Sequence, residues 1–168
     1  MSYRKHIEES SREPVRCAVL TISDTRTPET DISGRRMREL LVEGRHQVVD
    51  SQILPDEPLK IQELIKQWLG RSDIDAILTN GGTGVSRRDQ TMDVIDGLLD
   101  RVLPGFGELF RMLSWEEIGS GAMLSRAEGG VARDKLLFAL PGSTAAVELG
   151  MKKLILPELK HLLNQIRK

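Results

Sequence analysis

A glycine-rich stretch followed by charged residues has the clearest chemical meaning in this chain. An apolar run ends at Leu78, and glycines follow at Gly81, Gly82 and Gly84. Glycine permits turns in which a side chain would clash, and it lets a ligand approach main-chain N–H groups closely. Such N–H groups form concave sites for phosphate oxygens, and an aspartate beside them can hold Mg²⁺. Asp89 follows shortly after these glycines, so the stretch indicates phosphoryl or nucleotidyl chemistry.

Two standard nucleotide-binding patterns do not fit this stretch. The Walker P-loop needs a lysine directly after its last glycine, and no lysine follows Gly84. The dinucleotide fingerprint needs a different glycine spacing. An ordinary turn between a strand and a helix remains the alternative, because glycine is common in loops.

The residues around Asp89 each have a structural and a functional interpretation. Thr91 is a good N-cap for a helix that begins at Met92, and it is also a candidate for nucleotide binding. Arg87 and Arg88 are either solvated surface charges or groups that steady a polyphosphate.

Composition limits the class of protein. The 168 residues suit one domain with a real core. The net charge of −1 gives no electrostatic support for nucleic-acid binding. No apolar run approaches the roughly 20 residues of a membrane span, and the first residues contain no hydrophobic signal segment. We therefore expect a cytoplasmic protein with a polar N-terminal arm over residues 1–14, which is mobile or contacts another subunit, and one domain over residues 15–168.

The few residues with soft ligand atoms do not suggest a metal cluster. Cys17 is the single cysteine, so no intrachain disulfide is possible, and its apolar surroundings predict a buried side chain. His6, His46 and His161 are scattered along the chain.

Strand and helix signals alternate along the chain. Apolar runs predict strands over residues 15–22, 46–54, 74–79, 128–131 and 135–140. Apolar residues at helical spacing predict helices around residues 37–41, 61–69, 92–99, 106–113 and 144–166. Ser143 is the expected N-cap of the last helix, and Pro157 is expected to kink or split it. The alternation indicates an α/β fold: three layers, with a mostly parallel sheet flanked by helices.

In such sheets, ligands bind beyond the carboxyl ends of the strands. The loops that follow predicted strands are Ser23-Asp24, Pro55-Asp-Glu57, Asn80 to Asp89 and Pro141-Gly-Ser143. The sequence thus predicts that these four loops converge on one edge of the sheet.

The loops occur in an order that resembles a known family. The matching motifs are Thr21-Ile-Ser-Asp24, Leu54-Pro-Asp-Glu57, Thr79-Asn-Gly-Gly-Thr-Gly84, Arg88-Asp-Gln-Thr91, Pro104-Gly-Phe-Gly-Glu108 and Leu140-Pro-Gly-Ser143. Together they resemble the MoaB/MogA family of molybdenum cofactor biosynthesis, from Val15 to about Leu163. The stretch from Phe110 to Gly119 and the ending Pro-Gly-Ser-Thr are more similar to the MoaB branch.

The resemblance implies molybdopterin adenylyltransferase activity. In that reaction the terminal phosphate of molybdopterin attacks the α-phosphorus of MgATP, and pyrophosphate leaves. Asp56 and Asp89 match the family's catalytic aspartates, with an implied role in holding Mg²⁺ and polyphosphate. An ordinary turn is the alternative for Asp56. The implied cofactor-binding residues are Ser23, Asp24, Gly81, Gly82, Thr83, Gly84, Thr91, Gly105, Glu108, Pro141, Gly142 and Ser143. Glu108 is equally consistent with a surface charge.

The resemblance leaves a second function open. Some MoaB-branch members lack the acidic residues, and such a chain would be a non-catalytic molybdopterin-binding paralogue or a scaffold of the pathway. Asp56 and Asp89 are both present here, which favours an enzyme. An unrelated flavodoxin-like nucleotide-binding module would leave the Leu140-Pro-Gly-Ser143 motif unexplained.

The family also implies partners. Its members form trimers, and the MoaB branch often pairs these into hexamers, so we expect a homotrimer or homohexamer. Contact with other molybdenum cofactor biosynthesis proteins is a further expectation. Trp68 and Trp115 fall at apolar helical positions, and we expect them in the core or in subunit contacts.

Overall fold

A six-stranded sheet lies at the centre of the fold in the computed structural model, which describes residues 13–168. The strands are β1 Arg16–Ile22, β2 Gln47–Leu54, β3 Ala76–Asn80, β4 Arg101–Val102, β5 Glu128–Ala132 and β6 Lys135–Leu140. Their order in the sheet is β2-β1-β3-β6-β5-β4. Strands β2, β1, β3 and β6 are parallel, whereas β5 is antiparallel to both β6 and β4. The predicted mostly parallel sheet is confirmed.

Helices follow the strands and cover both faces of the sheet. They are α1 Ile32–Glu43, α2 Pro58–Leu69, α3 Thr91–Leu98, α4 Pro104–Ile118, α5 Thr144–Gly150 and α6 Leu156–Ile166. A 3₁₀-helix, Gly119–Leu124, follows α4, and a π-helical turn, Met151–Ile155, separates α5 from α6. Pro157 lies in the first turn of α6, where its missing N–H costs nothing, so the predicted split of the last helix is confirmed.

The three layers follow from the alternation of side chains along buried strands. In β1, Cys17 and Val19 face the core beneath α1, α4, α5 and α6, whereas Ala18 and Leu20 face the core beneath α2 and α3. Both sets are fully buried, which explains why β1 is a continuous apolar run. Trp68 is buried in the second core, as expected.

The antiparallel end of the sheet is made by a tight hairpin. Arg133 and Asp134 link β5 to β6 with φ angles of 47° and 58°. Positive φ at both central residues is the geometry of the two-residue turns that match strand twist. The predicted strand pair around these residues is therefore confirmed.

Two predictions need correction. Gln90, not Thr91, is the N-cap of α3, and Thr91 is the first helical residue. Strand β3 begins at Ala76 rather than Ile74. The Asp75 carboxylate just before it accepts the Arg16 N–H and guanidinium. Trp115 is 61% exposed, which leaves the subunit contact, the other expected position for this side chain, as a prediction.

The predicted N-terminal arm lies outside the described residues except for Glu13 and Pro14. Over residues 13–168, no helix has the length and apolar character to cross a membrane.

Candidate functional site

The four loops that follow the parallel strands meet at one edge of the sheet, as predicted. The Ser23 N–H donates to the Leu54 carbonyl at 2.8 Å, which ties the loop after β1 to the end of β2. The Gly81 N–H donates to the Leu140 carbonyl at 3.0 Å, which ties the loop after β3 to the end of β6. The edge is therefore one connected surface, and we call it the rim: residues 23–26, 55–57, 80–91 and 141–143.

Gly82 and Gly84 leave space for the two candidate carboxylates. A Cβ at Gly82 would lie 2.9 Å from Asp56 Oδ2, and a Cβ at Gly84 would lie 2.6 Å from Asp89 Oδ2. Gly82 also has φ +65°, a conformation that favours glycine. Each aspartate thus packs against the backbone of the same loop, which brings Asp56 and Asp89 to one place.

Gly81 allows the loop to leave β3 close to β1. Its φ is +96°, and a Cβ there would lie 2.2 Å from the Ile22 carbonyl oxygen. Gly142 packs against it, since a Cβ at position 142 would lie 3.1 Å from Gly81 Cα. Any side chain at position 81 would push the loop away from the sheet.

Asp56 is a rim carboxyl group whose surroundings disfavour its negative charge. Burial of its carboxyl, followed by the negative charge of Asp89, raises the pKa of Asp56 above its ordinary value. Its Oδ1 is buried and accepts no hydrogen bond within residues 13–168. A buried carboxylate oxygen without a donor is costly, so this arrangement favours a cation at Asp56.

Asp89 and Thr91 lie in the same region, but of their side chains only the Asp89 carboxylate has hydrogen-bond partners within residues 13–168. Asp89 Oδ2 accepts the Ser86 N–H at 3.0 Å and the Ser86 hydroxyl at 2.5 Å. The Thr91 hydroxyl is buried and has no hydrogen-bond partner among the described residues. A Cβ at Gly82 would lie 2.1 Å from Thr91 Oγ1, so this hydroxyl lies directly behind the loop backbone.

Asp24 joins the two sides of the rim. Its Oδ1 accepts the Asp56 N–H at 3.2 Å, and its Oδ2 pairs with the Arg88 guanidinium at 2.8 Å. Arg88 is 69% exposed in its side chain, which leaves it accessible to a ligand as well.

The rim residues suit Mg²⁺ better than a metal with a complete protein cage. Within residues 13–168, no three or more His, Cys, Asp or Glu side chains are arranged to hold a metal ion. Mg²⁺ is usually bound by one or two carboxylates, with water and substrate phosphates filling its octahedron. The unpartnered Asp56 Oδ1, with Asp89 beside it, meets that need.

The remaining predicted residues occupy different positions. The Ser143 hydroxyl accepts the Ala146 N–H at 3.1 Å and caps α5, as predicted. The Ser23 hydroxyl accepts the N–H groups of Thr25 and Arg26 and so shapes its own turn. Thr83 is buried in the loop. Roles of these residues in ligand binding stay predictions.

Gly105 and Glu108 line surfaces beside the rim. Glu108 is exposed in a cleft of about 360 Å³ between α3 and α4, which Arg126 and Glu128 also line. Gly105 lies on the neighbouring apolar groove between α4 and α6. Their predicted binding roles also stay predictions.

Glu128 forms a carboxyl pair in that cleft. Burial, followed by its hydrogen bond to Asp96 and the charge of Asp96, raises the pKa of Glu128 to about 7. The cleft therefore holds a carboxyl group that is partly protonated near neutral pH.

A buried polar network beneath the rim was not predicted from the sequence. The Thr21 hydroxyl donates to Asp31 Oδ2 at 2.9 Å, and the Ser33 hydroxyl donates to Asn80 Oδ1 at 2.8 Å. Asn80 Nδ2 closes the network on Thr21 Oγ1 at 3.1 Å. Arg26 adds bonds to Ser33 and to the Gly142 carbonyl. The available signal was the presence of polar Thr21 and Asn80 at the ends of apolar strands.

Arg126 is the second unpredicted residue. Its Nε donates to the Thr83 carbonyl at 2.8 Å, and its Nη2 donates to the carbonyls of Gly84 at 2.5 Å and Asp89 at 3.1 Å. No sequence pattern links position 126 to a loop about 40 residues earlier in the chain.

These features define an α/β domain with one ligand-binding edge, and comparison with known proteins identifies its family. A family model described as "Probable molybdopterin binding domain" matches residues 18–161. The chain belongs to this family of molybdenum cofactor biosynthesis proteins.

Within the family, the chain is similar to proteins of the MoaB branch. It is 52% identical over 169 residues to "Molybdenum cofactor biosynthesis protein B" of Halalkalibacterium halodurans, covering 100% of this chain and 99% of that protein. It is 50% identical over 163 residues to the protein of the same name in Bacillus cereus, with 96% of each chain covered.

Solved structures agree with this placement. A crystal structure of a "Molybdenum cofactor biosynthesis protein B" matches with a TM-score of 0.91 and 49% identity over 94% of this chain and 98% of that chain. The "tungsten cofactor synthesizing protein MoaB from Pyrococcus furiosus" matches with a TM-score of 0.85 and 33% identity over 94% and 100%. The predicted MoaB/MogA-like fold is confirmed.

Proposed function

We propose that the protein acts in molybdenum cofactor biosynthesis by transferring AMP from MgATP to the terminal phosphate of molybdopterin. The products are adenylylated molybdopterin and pyrophosphate. The observation that supports this most directly is the pairing of Asp56 and Asp89 against one glycine loop, with the buried Asp56 Oδ1 lacking a donor in residues 13–168. Family membership supplies the pathway, and the rim supplies groups suited to the reaction.

The chemistry needs charge neutralisation more than a protein nucleophile. A phosphate oxygen of molybdopterin attacks the α-phosphorus of ATP, and the bond from that phosphorus to the bridging oxygen of pyrophosphate breaks. Two unit negative charges 4 Å apart repel by about 4 kcal/mol at an effective dielectric near 20. Main-chain N–H groups and cations at the reacting phosphates lower that repulsion in the transition state.

Each part of the rim has a proposed task. Asp56 and Asp89 would hold Mg²⁺, which when bound neutralises and orients the polyphosphate. The N–H groups of the loop from Gly81 to Gly84 would receive phosphate oxygens. Arg88 would place a positive charge beside them, since its guanidinium is exposed at the rim.

Molybdopterin would approach from the side of Pro141, Gly142 and Ser143. This loop packs against Gly81, so a phosphate bound there would lie next to the glycine loop. Arg26 of the buried network donates to the Gly142 carbonyl and so holds the two loops at a fixed position relative to each other.

One assay tests this function. Purified protein is mixed with molybdopterin and MgATP, and adenylylated pterin and pyrophosphate are measured. We expect both products in equal amounts. Binding of ATP and molybdopterin without product would favour the non-catalytic alternative, and no binding of molybdopterin would exclude both functions.

We further propose that the protein works as a homotrimer or homohexamer in the cytoplasm. Apolar side chains on α4 and the following 3₁₀-helix are exposed: Leu109, Met112, Trp115, Ile118, Met123 and Leu124. Exposed apolar surface of this extent is typical of protein contacts, and a second copy of the chain would cover it. Light scattering tests this, and a monomer at micromolar concentration would contradict it.

A further inference from the structure

Arg126 lies outside the rim, yet it contacts the glycine loop at three points. All three acceptors are main-chain carbonyls, those of Thr83, Gly84 and Asp89. Two guanidinium nitrogens make these bonds in a planar fork, a geometry that lysine cannot reproduce. One side chain therefore fixes the beginning and the end of the loop relative to each other.

The direction of these carbonyls determines the direction of the loop N–H groups. In a trans peptide, the C=O and the following N–H point to opposite sides. With the carbonyls of Thr83 and Gly84 turned to Arg126, the N–H groups of Gly84 and Val85 point away from it. Neither N–H donates a hydrogen bond within residues 13–168. They remain available to an acceptor that the chain itself does not provide.

The third carbonyl ties the end of the loop to the same side chain. The Asp89 carbonyl accepts from Arg126 at 3.1 Å, and the Gln90 N–H that follows it donates to the Arg88 carbonyl at 2.9 Å. Arg126 therefore fixes the backbone of the residue whose carboxylate the proposed function places at the metal.

We propose that Arg126 is a positioning residue for nucleotide binding: it holds three loop carbonyls on one side so that the N–H groups of Gly84 and Val85 face the phosphates of ATP. The proposal rests on the proposed function for the identity of the ligand. Arg126 need not touch ATP, since it acts through the backbone of the loop.

The test compares Arg126→Ala, Arg126→Lys and a control, Arg101→Ala. Arg101 is exposed on β4 and bears the same charge. Hydrogen exchange of the loop from Gly81 to Gln90 is measured in the full chain, and binding of a non-hydrolysable ATP analogue with Mg²⁺ is measured alongside. We expect loop amides in Arg126→Ala to exchange at least about tenfold faster, with protection of β1 and β6 unchanged.

Kinetics separate positioning from a merely structural role. For Arg126→Ala we expect kcat/KM for MgATP to fall by about 10- to 100-fold, a loss typical of misplaced reactants. The KM for molybdopterin should stay within about twofold, and millimolar guanidinium ion should restore part of the rate. Arg126→Lys should fall between Arg126→Ala and wild type, because a single ammonium group cannot serve three carbonyls.

The outcomes remain distinct. Wild-type loop exchange and analogue affinity in Arg126→Ala would overturn the positioning role. If Arg126→Ala did not fold, the same comparison would rest on Arg126→Lys, for which unchanged exchange and affinity would be equally decisive. If the wild-type protein formed no adenylylated molybdopterin, the proposed function would fail, whereas the exchange and analogue-binding results would still decide the role of Arg126.

Discussion

Two aspartates at opposite ends of the parallel strands show how differently one residue type can be used. Asp75, before β3, accepts bonds from Arg16 at 2.8, 2.9 and 3.0 Å and from Arg167 at 2.5 Å. Burial alone would raise its pKa, but these bonds lower the pKa of Asp75 to about 2. Asp56, after β2, lies beside Asp89 and has a raised pKa. The chain satisfies the charge of Asp75 internally, whereas Asp56 Oδ1 has no hydrogen-bond donor within residues 13–168.

The largest expected effect is a loss of turnover when Asp89, the neighbour of Asp56, is changed. Asp89→Asn keeps the shape of the side chain and removes the charge, so we expect the adenylylation rate to fall by at least about 10³-fold, or roughly 4 kcal/mol. Circular dichroism should show an unchanged fold. A rate near that of the wild type would remove Asp89 from the site.

The next largest effect is a loss of stability when Asp75, whose charge is paired within the chain, is changed. Asp75→Asn leaves Arg16 and Arg167 without their carboxylate, and we expect a loss of about 2–3 kcal/mol, below the range for fully buried pairs because both arginines are partly exposed. In a chain of this size that lowers Tm by roughly 4–12 °C. Thermal unfolding at pH 7 measures it.

The matched variant Asp56→Asn, at the other end of the parallel strands, should not lose thermal stability. Asp56→Asn removes the repulsion between Asp56 and Asp89, so we expect Tm to stay constant or to rise while turnover is lost. Equal destabilisation by Asp56→Asn and Asp75→Asn would contradict the contrast between the two ends.

A smaller effect is expected from the glycine that accommodates Asp56. Gly82→Ala places a methyl group against Thr91 Oγ1 and Asp56 Oδ2 at a positive φ. We expect roughly tenfold lower kcat/KM and about 1–2 kcal/mol lower stability. Gly97→Ala is the control, since a Cβ there meets nothing within 4 Å and Gly97 is not a predicted site residue. Equal behaviour of the two variants would show that the fit at Gly82 is unimportant.

The smallest effect concerns Glu128, whose pKa is raised to about 7. The folded state binds this proton more tightly than the unfolded state, so stability falls as pH rises from the ordinary glutamate pKa to about 7. We expect Glu128→Gln to raise Tm by about 2–4 °C at pH 8, for roughly 1 kcal/mol after allowance for partial exposure. The gain should vanish near pH 4. Equal Tm values at pH 8 would show that the carboxyl pair costs the fold nothing.

Local patterns predicted much of the fold and part of the site. The strand over residues 135–140 and the capping role of Ser143 were confirmed, because apolar runs and caps are decided by adjacent residues. Convergence of the four loops followed from parallel topology. Asp56 and Asp89 were identified by motif, and their proximity follows from the two glycines that accommodate them.

Long-range polar contacts explain what the sequence did not reveal. Arg126 reaches the glycine loop only because the chain returns to it before β5. In the sequence, Asn80 is only the last residue of an apolar strand. Its hydrogen-bond partner Ser33 lies far from it along the chain, in α1. Threonine is a common N-cap, so the sequence predicted Thr91 for that position. The helix begins one residue earlier than expected, and Gln90 is its N-cap.

The most direct test of the account is a crystal structure of the protein with Mg²⁺ and a non-hydrolysable ATP analogue. We expect the metal about 2.0–2.1 Å from an oxygen of Asp56 or Asp89. Phosphate oxygens should lie about 2.7–3.2 Å from the N–H groups of Gly84 and Val85. A triphosphate bound away from both aspartates would contradict the central claim that the rim is built to bring two phosphates together.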